Sequence, residues 1–381
     1  MIAIAGSLAQ RPGAGGHAWV FLQYLLGFRR LGHDVVFVDR LDADMCTDDR
    51  GRPTSPERSV QLRWLAAVMD GFGLGGDWAV VTDSGIVGLD EPALLQRVRR
   101  SEVLIDVMGY LAGSTVIGSA RRSVFFDIDP GFPQLWRELG WHDALSGHDR
   151  YVTVGERVGS PDCPIPAHGI RWIPTKQPVV LDEWPVVGDP GERYTSVGAW
   201  RGPNDAIEWR GERYGLRALT MRQLIELPRR VDRPIELALD IDLSDAADRH
   251  CLQEAGWLLV DPVTVAGDPW SYREYLQRSR GEIMTAKDIY VRGRTGWFSD
   301  RSVTYLASGR PVIATDTGLD GLVPAGEGLL LYHDLETAVA AVEAIERAPH
   351  RHAAAARTIA EDVFGSDVVL GRLLDELARP A

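Results

Sequence analysis

The sequence predicts an α/β protein built from two Rossmann-like domains. Three observations carry this. Short apolar runs alternate with helical patterns along the chain, as in parallel sheets flanked by helices. The chain has 381 residues, too long for one ordinary domain and suited to two. Between the halves, Pro161, Pro164, Pro166, Pro174, Pro178, Pro185 and Pro190 cluster and read as a linker. A boundary near Lys176 gives an N-terminal domain over residues 1–175 and a C-terminal one over 176–350. Residues 351–381 remain for terminal helices.

Ile2-Ala3-Ile4-Ala5 is a short apolar strand, followed by a glycine-rich loop from Arg11 to Gly16. From His17 to Leu31 the spacing is helical, with Val20, Phe21, Tyr24, Leu25 and Phe28 on one face and Gly32 as the stop. Val35 to Val38 is a second strand, closed by Asp39, which completes a nucleotide-type βαβ start. The run Gly13-Ala14-Gly15-Gly16-His17-Ala18 also fits GxGxxA, with Asp39 downstream where an NAD-binding fold holds its ribose. In that fingerprint the glycines follow the strand directly, whereas here Ser7 to Pro12 intervene, so NAD binding is not expected.

Further on, residues 61–72 predict an amphipathic helix, 79–82 a strand, 93–98 a helix and 103–107 a strand. Asp106 lies at the end of that strand, where active-site residues of open α/β sheets collect. The strand from Ser123 runs into Asp127-Ile128-Asp129, one DxD; Asp240-Ile241-Asp242 is another. Hard carboxylate oxygens at this spacing suit Mg²⁺ or Mn²⁺. Two common residues in three letters specify little, and no metal site is expected. Tyr151 to Glu156 is the last strand of the first half.

In the second half Tyr194 to Val197 is a strand, followed by Gly198-Ala199-Trp200-Arg201-Gly202. Helices are expected over 216–227, 246–255 and 272–278, and strands over 235–239 and 257–260. Glu282 and Lys287 then precede RGRTGWFSDRSVTYLASGRPVIATDTG, which reads as loop, helix, strand. Ser299 is a candidate N-cap, Gly309 a helix stop, and Pro311 opens the strand Val312-Ile313-Ala314. A helix N-terminus beside Arg292, Arg294 and Arg301 suits a phosphate or diphosphate. The alternative is a capped surface helix with ordinary salt bridges. A strand at 328–331 and helices over 335–345, 353–364 and 368–377 finish the chain.

Hydrophobic residues make up 45% and charged residues 25%, a globular balance. The net charge of −13 argues against nucleic acid as the main partner, while leaving room for a local basic site. Cys46, Cys163 and Cys251 are isolated, which points to neither a zinc site nor a disulfide framework. The start lacks the pattern of a signal peptide, and no run reaches the roughly 20 apolar residues of a membrane span. A soluble cytoplasmic protein is expected.

YLASGRPVIATDTG resembles the donor-site helix and following strand of GT-B glycosyltransferases, in the branch that ends EAMAxGxPVIAT. The longer GWFSDRSVTYLASGRPVIATDTG, with VPAGEGLLLY after it, resembles an actinobacterial and cyanobacterial group of family 1/4-like glycosyltransferases. GGHAWVFLQYLLGFRRLGHDVVFVD resembles the first unit of the same fold, written GxGHxxPxxxLAxxLxxxGHxV. The resemblance implies a GT-B fold: two Rossmann-like domains facing across a cleft, the last helix crossing back to the first domain. It implies transfer of a sugar, of the hexosyltransferase class, from a nucleotide-diphosphate donor to an acceptor hydroxyl or amine. The nucleotide sugar is then a co-substrate, and no cofactor or metal is needed.

What the resemblance implies for residues is specific. His17 stands where the inverting branch carries its general base, and Asp106 is the candidate to orient it. Ser299, Asp300 and Arg301 would offer backbone N–H groups to the diphosphate, with Arg201, Lys287 and Arg294 as cations. Glu282 would accept from ribose hydroxyls. Gly15, Gly16, Asp127 and Asp129 would line the acceptor cleft. Gly296 and Thr304 stand where retaining members carry two Glu, so inversion is favoured. Two other readings remain: a nucleotide-sugar epimerase of the same fold, and a catalytically silent nucleotide-sugar binding protein.

Overall fold

The computed structural model describes residues 1–202 and 204–380. Eight strands form the first sheet: β1 (Ile2–Ala5), β2 (Val35–Leu41), β3 (Trp78–Thr82), β4 (Gly85–Gly88), β5 (Val103–Val107), β6 (Ser123–Asp127), β7 (Arg150–Thr153) and β8 (Trp172–Pro174). Their order is β4-β3-β2-β1-β5-β6-β7-β8, parallel throughout except for the β3–β4 hairpin. Strand order reverses between β1 and β5, where Ala5 pairs with both Val38 and Asp106. Such a switch point opens a crevice at the carboxyl ends of the strands. Here that crevice receives the glycine loop, which follows β1 after the segment Gly6 to Pro12.

The second sheet contains β9 (Tyr194–Ala199), β12 (Ile235–Asp240), β13 (Leu258–Val260), β14 (Gly281–Met284), β15 (Val312–Thr315) and β16 (Leu329–Tyr332). Between β9 and β12 the chain forms a separate two-stranded hairpin, β10 (Ile207–Trp209) and β11 (Glu212–Tyr214). The main sheet runs β13-β12-β9-β14-β15-β16, all parallel, and reverses between β9 and β14. Gly309 closes the helix Asp300–Ala307 at φ +67, a left-handed stop that needs no Cβ.

Both faces of the first sheet are covered. Ile2 and Ile4 face one core, while the small Ala3 and Ala5 face another with Val36, Val38, Leu94 and Val98. One apolar core joins side chains of both sheets with Trp184 of the connecting segment. The last helix, Ser366–Ala378, lies against the first, Gly15–Arg30; a Cβ at Gly27 would come within 2.5 Å of Leu370. Arg122 donates to the Leu377 carbonyl at 2.5 Å, tying that helix to the first sheet.

Several local expectations change. The proline-rich stretch contributes the edge strand β8 rather than loop alone, which is tolerated because Pro174 sits at the end of an edge strand. The expected helix over 216–227 is two short ones, Arg217–Arg222 and Leu227–Arg230, the second opening on Pro228. The helix expected from Tyr272 begins earlier, at Pro269, because the Asp268 carboxylate accepts from Trp270 and Ser271 N–H.

Candidate functional site

A cavity of about 760 Å³ lies between the two sheets. Its first wall is the glycine loop and the start of the first helix, from Arg11 to Val20. Its second wall is made by the carboxyl ends of β9, β12 and β13 and the N-terminus of the Asp300 helix. The two switch-point crevices thus face one another. Gly15 and Gly16 are required by closeness rather than by dihedral angle. A Cβ at Gly15 would come within 2.1 Å of the Asp268 carbonyl oxygen, and one at Gly16 within 2.7 Å of the Tyr272 ring. Both glycines do line the cavity, and they let the glycine loop touch the C-terminal domain directly.

Other contacts bridge the halves on either side of the cavity. Trp19 donates to the Pro269 carbonyl at 2.8 Å, and Trp270 stacks on Phe72 at 5.4 Å between centroids. On the other side Lys287 donates to both oxygens of Asp129 at 2.8 and 2.7 Å, and the Tyr290 hydroxyl donates to the same carboxylate. Asn204 adds a bond at 3.2 Å.

His17 lines the cavity near the start of the first helix. Its Nε2 is 3.0 Å from the Ser7 carbonyl and 3.2 Å from the Ser7 hydroxyl. A carbonyl only accepts, so Nε2 carries the proton and Nδ1 keeps the lone pair. Burial, with the Arg11 charge adding to it, lowers the pKa to about 4. The ring is therefore neutral at pH 7, with one basic nitrogen free among the described residues.

Asp106 does not orient this ring. It is wholly buried at the end of β5, where it receives His148 Nε2 at 3.1 Å and the Leu111 N–H at 3.2 Å. The expected His17–Asp106 pair is replaced by a Ser7–His17 contact, because the loop after β1 reaches the imidazole first.

The cations of the cavity are also different from those expected. Arg201 is tied by two bonds to Asp245 on an exposed surface, its side chain 58% accessible. Arg294 is exposed and lies outside the cavity wall. Arg292 pairs with Glu212 on the surface. Lys287 is committed to Asp129 across the domains, and burial lowers its pKa against that pairing. Arg301 alone of the expected cations lines the cavity. Its Nε donates to Glu282 at 2.5 Å and its Nη1 to the Val197 carbonyl at 2.7 Å, while Nη2 has no partner among the described residues. Burial opposes its charge, but Glu282 raises the pKa overall. Glu282 is therefore the counter-ion of Arg301, fully buried, rather than a group facing the cavity.

Arg11, Arg217 and Arg249 are the cavity cations that sequence reasoning passed over. Arg217 opens the first short helix after the hairpin and lies across Gly198; a Cβ on Gly198 would be 1.9 Å from Arg217 Nη1. Among the described residues its one hydrogen bond is a long 3.4 Å one to the Ala199 carbonyl, and its Nε is unpaired. Burial and the neighbouring Arg301 charge lower its pKa to about 10, so it remains a cation at pH 7. Arg11 was visible at the edge of the glycine loop, but Arg217 carried no motif, because only the hairpin β10–β11 brings it back to the sheet.

The Asp300 helix points its N-terminus into this group of charges. Ser299 occupies the N-cap position with extended dihedrals, but its hydroxyl accepts no first-turn N–H. The expected Ser299 cap is absent, and the Asp300 carboxyl itself meets the Asp300 and Arg301 N–H groups of the first turn. The Asp300 carboxyl lines the cavity, and burial raises its pKa. Asp127 and Asp129 lie outside the cavity wall. Asp127 is buried, accepts from Gln134, Thr153 and the Asp129 N–H, and has its pKa raised by burial to about 7. Among the described residues no group of three or more His, Cys, Asp or Glu is arranged to hold a metal ion, and no helix is long and apolar enough to cross a membrane.

Solved structures share this architecture across the whole chain. HepE of Anabaena in complex with UDP-glucose is similar with a TM-score of 0.60 and 13% identity, over 99% of both chains. The fold is GT-B. Sucrose-phosphate synthase from Thermosynechococcus elongatus gives 0.58 and 13%, covering 99% of this chain and 98% of that one. An alpha-glucosyltransferase in complex with UDP and a 13-mer mismatched DNA gives 0.59 and 11% over 99% of both. No family profile and no curated protein matches by sequence. At these identities the GT-B likeness establishes the arrangement of two Rossmann-like domains about a cleft. The chemistry rests on the residues in that cleft.

Proposed function

We propose that this protein is a glycosyltransferase that takes a sugar from a nucleotide-diphosphate donor and passes it to an acceptor hydroxyl. One observation carries the reading. The N-terminus of the Asp300 helix, Arg217 and Arg301 converge on one cavity, with the neutral His17 on the facing wall. Guanidinium N–H groups and the positive end of a helix, fixed before the donor arrives, suit a diphosphate that gains charge as it leaves. Similar structures bound to UDP or UDP-glucose add support.

In this reading the acceptor oxygen forms its bond to the sugar anomeric carbon as the carbon–phosphate-oxygen bond breaks. The acceptor proton passes to His17 Nδ1, and the electron pair leaves on the nucleoside diphosphate. Ser7 holds the imidazole in the tautomer that exposes Nδ1. Inversion and independence of metal ions belong to the same proposal; the missing Glu pair at Gly296 and Thr304 favours the first.

The test is incubation with UDP-, TDP-, GDP- and ADP-sugars and a panel of hydroxyl acceptors, with and without EDTA. Release of nucleoside diphosphate is followed together with the anomeric signal of the product by NMR. Acceptor-dependent release, unaffected by EDTA, with inverted configuration is expected. Interconversion of sugars without acceptor would instead make the protein an epimerase. Failure to bind any nucleoside diphosphate would overturn the donor site itself.

A further inference from the structure

The cavity continues past the cluster around Asp300 toward the ends of β12 and β13. Adjacent strands are about 4.8 Å apart, so these ends lie roughly 5 and 10 Å from β9. That is the reach of a ribose and base beyond a diphosphate seated at the Asp300 helix. The walls there combine aliphatic side chains, Leu239, Ile241, Leu259 and Val263, the last 63% exposed at the mouth, with the exposed carboxylates Asp240 and Asp261. Flat apolar walls suit a base ring but do not choose between bases.

Arg249 supplies the choice. It projects from the helix Ala246–Glu254 and lines this end of the cavity. Its Nη2 donates to the Ile241 carbonyl at 2.8 Å, which fixes the plane of the guanidinium. Its Nε is enclosed and has no partner among the described residues. A guanidinium has five N–H donors and no acceptor. Only one of those donors is matched among the described residues, so Arg249 offers donors at a fixed angle, while Asp240 and Asp261 stand exposed at the rim.

We infer that Arg249 reads the nucleobase and selects a base with an oxo group at pyrimidine C4 or purine C6. Uracil, thymine and guanine present an acceptor oxygen on the edge farthest from the ribose. Cytosine and adenine present an amino group there, whose hydrogens face the guanidinium hydrogens. The amino bases thus leave donors opposed to donors at the Arg249 guanidinium. This inference rests on the donor-site reading proposed above and deepens it.

The test is calorimetry of UDP, TDP, GDP, CDP, ADP and inorganic pyrophosphate on wild type, Arg249→Met and Arg249→Gln. Wild type is expected to bind at least one oxo-base diphosphate about tenfold or more tighter than CDP and ADP, the ratio one hydrogen bond to a charged donor provides. In Arg249→Met that preference is expected to fall to within about threefold. Arg249→Gln, which both donates and accepts, should lose it as well. Pyrophosphate lacks a base and should bind the variants as it binds wild type, which also reports that they are folded. Tight binding of CDP or ADP, or an undiminished preference in both variants, would overturn the inference while leaving the donor site standing. Loss of pyrophosphate and every nucleotide from wild type would instead sink the donor-site reading.

Discussion

Gly198→Ala separates a donor-binding role for Arg217 from a merely structural one. Gly198 sits near the end of β9 in an ordinary extended conformation, so alanine there strains nothing in the backbone. The added Cβ would lie 1.9 Å from Arg217 Nη1, where ordinary contact begins at 3.4 Å. The guanidinium must therefore withdraw by roughly 1.5 Å, which a long side chain achieves at little expense. Its only hydrogen bond among the described residues is already 3.4 Å long, so folding loses little. A phosphate contact of about 2.8 Å, however, would stretch beyond hydrogen-bond range. Losing one charge-assisted bond weakens binding by about 1.5–3 kcal/mol, or about ten- to hundredfold. Calorimetry with UDP and pyrophosphate, beside a thermal melt, gives the answer. A tenfold or greater loss with Tm nearly unchanged is expected. Unchanged affinity would show that Arg217 does not meet the diphosphate. A fall of many degrees in Tm would show that Gly198 serves packing instead.

Three further predictions follow from the same geometry. His17→Ala is expected to lower kcat by about 10²–10⁴ with donor affinity kept, and the wild-type acid limb of kcat/KM should lie near the lowered pKa of about 4, not near 6.5; an acid limb at 6.5, or turnover intact in the variant, would remove His17 as the base. Asp129→Asn leaves the Lys287 ammonium, only 12% accessible, without its anion and should cost about 2–4 kcal/mol. Adding Lys287→Met should restore part of that loss, and a double mutant no more stable than the single one in a denaturant melt would count against the bridge. Asp39 and Asp127 have pKa values raised to about 7, so the folded state holds protons that an unfolded carboxyl releases near 3.9. Their contribution is full below about pH 4 and is lost as pH rises through 7. Asp127→Asn should therefore lose less Tm than wild type between pH 5.5 and 8.5; an equal loss would mean that Asp127 is ionised when folded.

Much of the fold was legible because local patterns and tertiary structure agree. The strand–loop–helix–strand start, the Gly309 stop and the Pro311 turn into β15 each follow from steric rules acting within a few residues. The glycine loop and the start of the Asp300 helix both line the cavity. What stayed hidden was less local. The hairpin β10–β11 is six paired residues without a strong turn signal, and β8 lay inside a run of prolines that read as linker.

The sequence by itself determined where strands, helix ends and glycine loops occur, since these depend on periodicity and on residues without a Cβ or an N–H. It also determined that a helix N-terminus with cations near it would follow β14. Which cations face the cavity was decided by tertiary structure. Arg201 and Arg294 stand close to the right elements in sequence, yet Asp245 holds one at the surface and the other lies outside the cavity wall. Arg217 and Arg249 come from short helices distant from any motif and reach the cavity only because the sheet brings β9, β12 and β13 side by side. The same holds for the proton on His17, which Ser7 places on Nε2. A side chain's charge is written in the chain, but its direction is set by what packs around it: a buried guanidinium turns to whatever acceptors the fold provides, and the N–H groups left over are those available to a ligand.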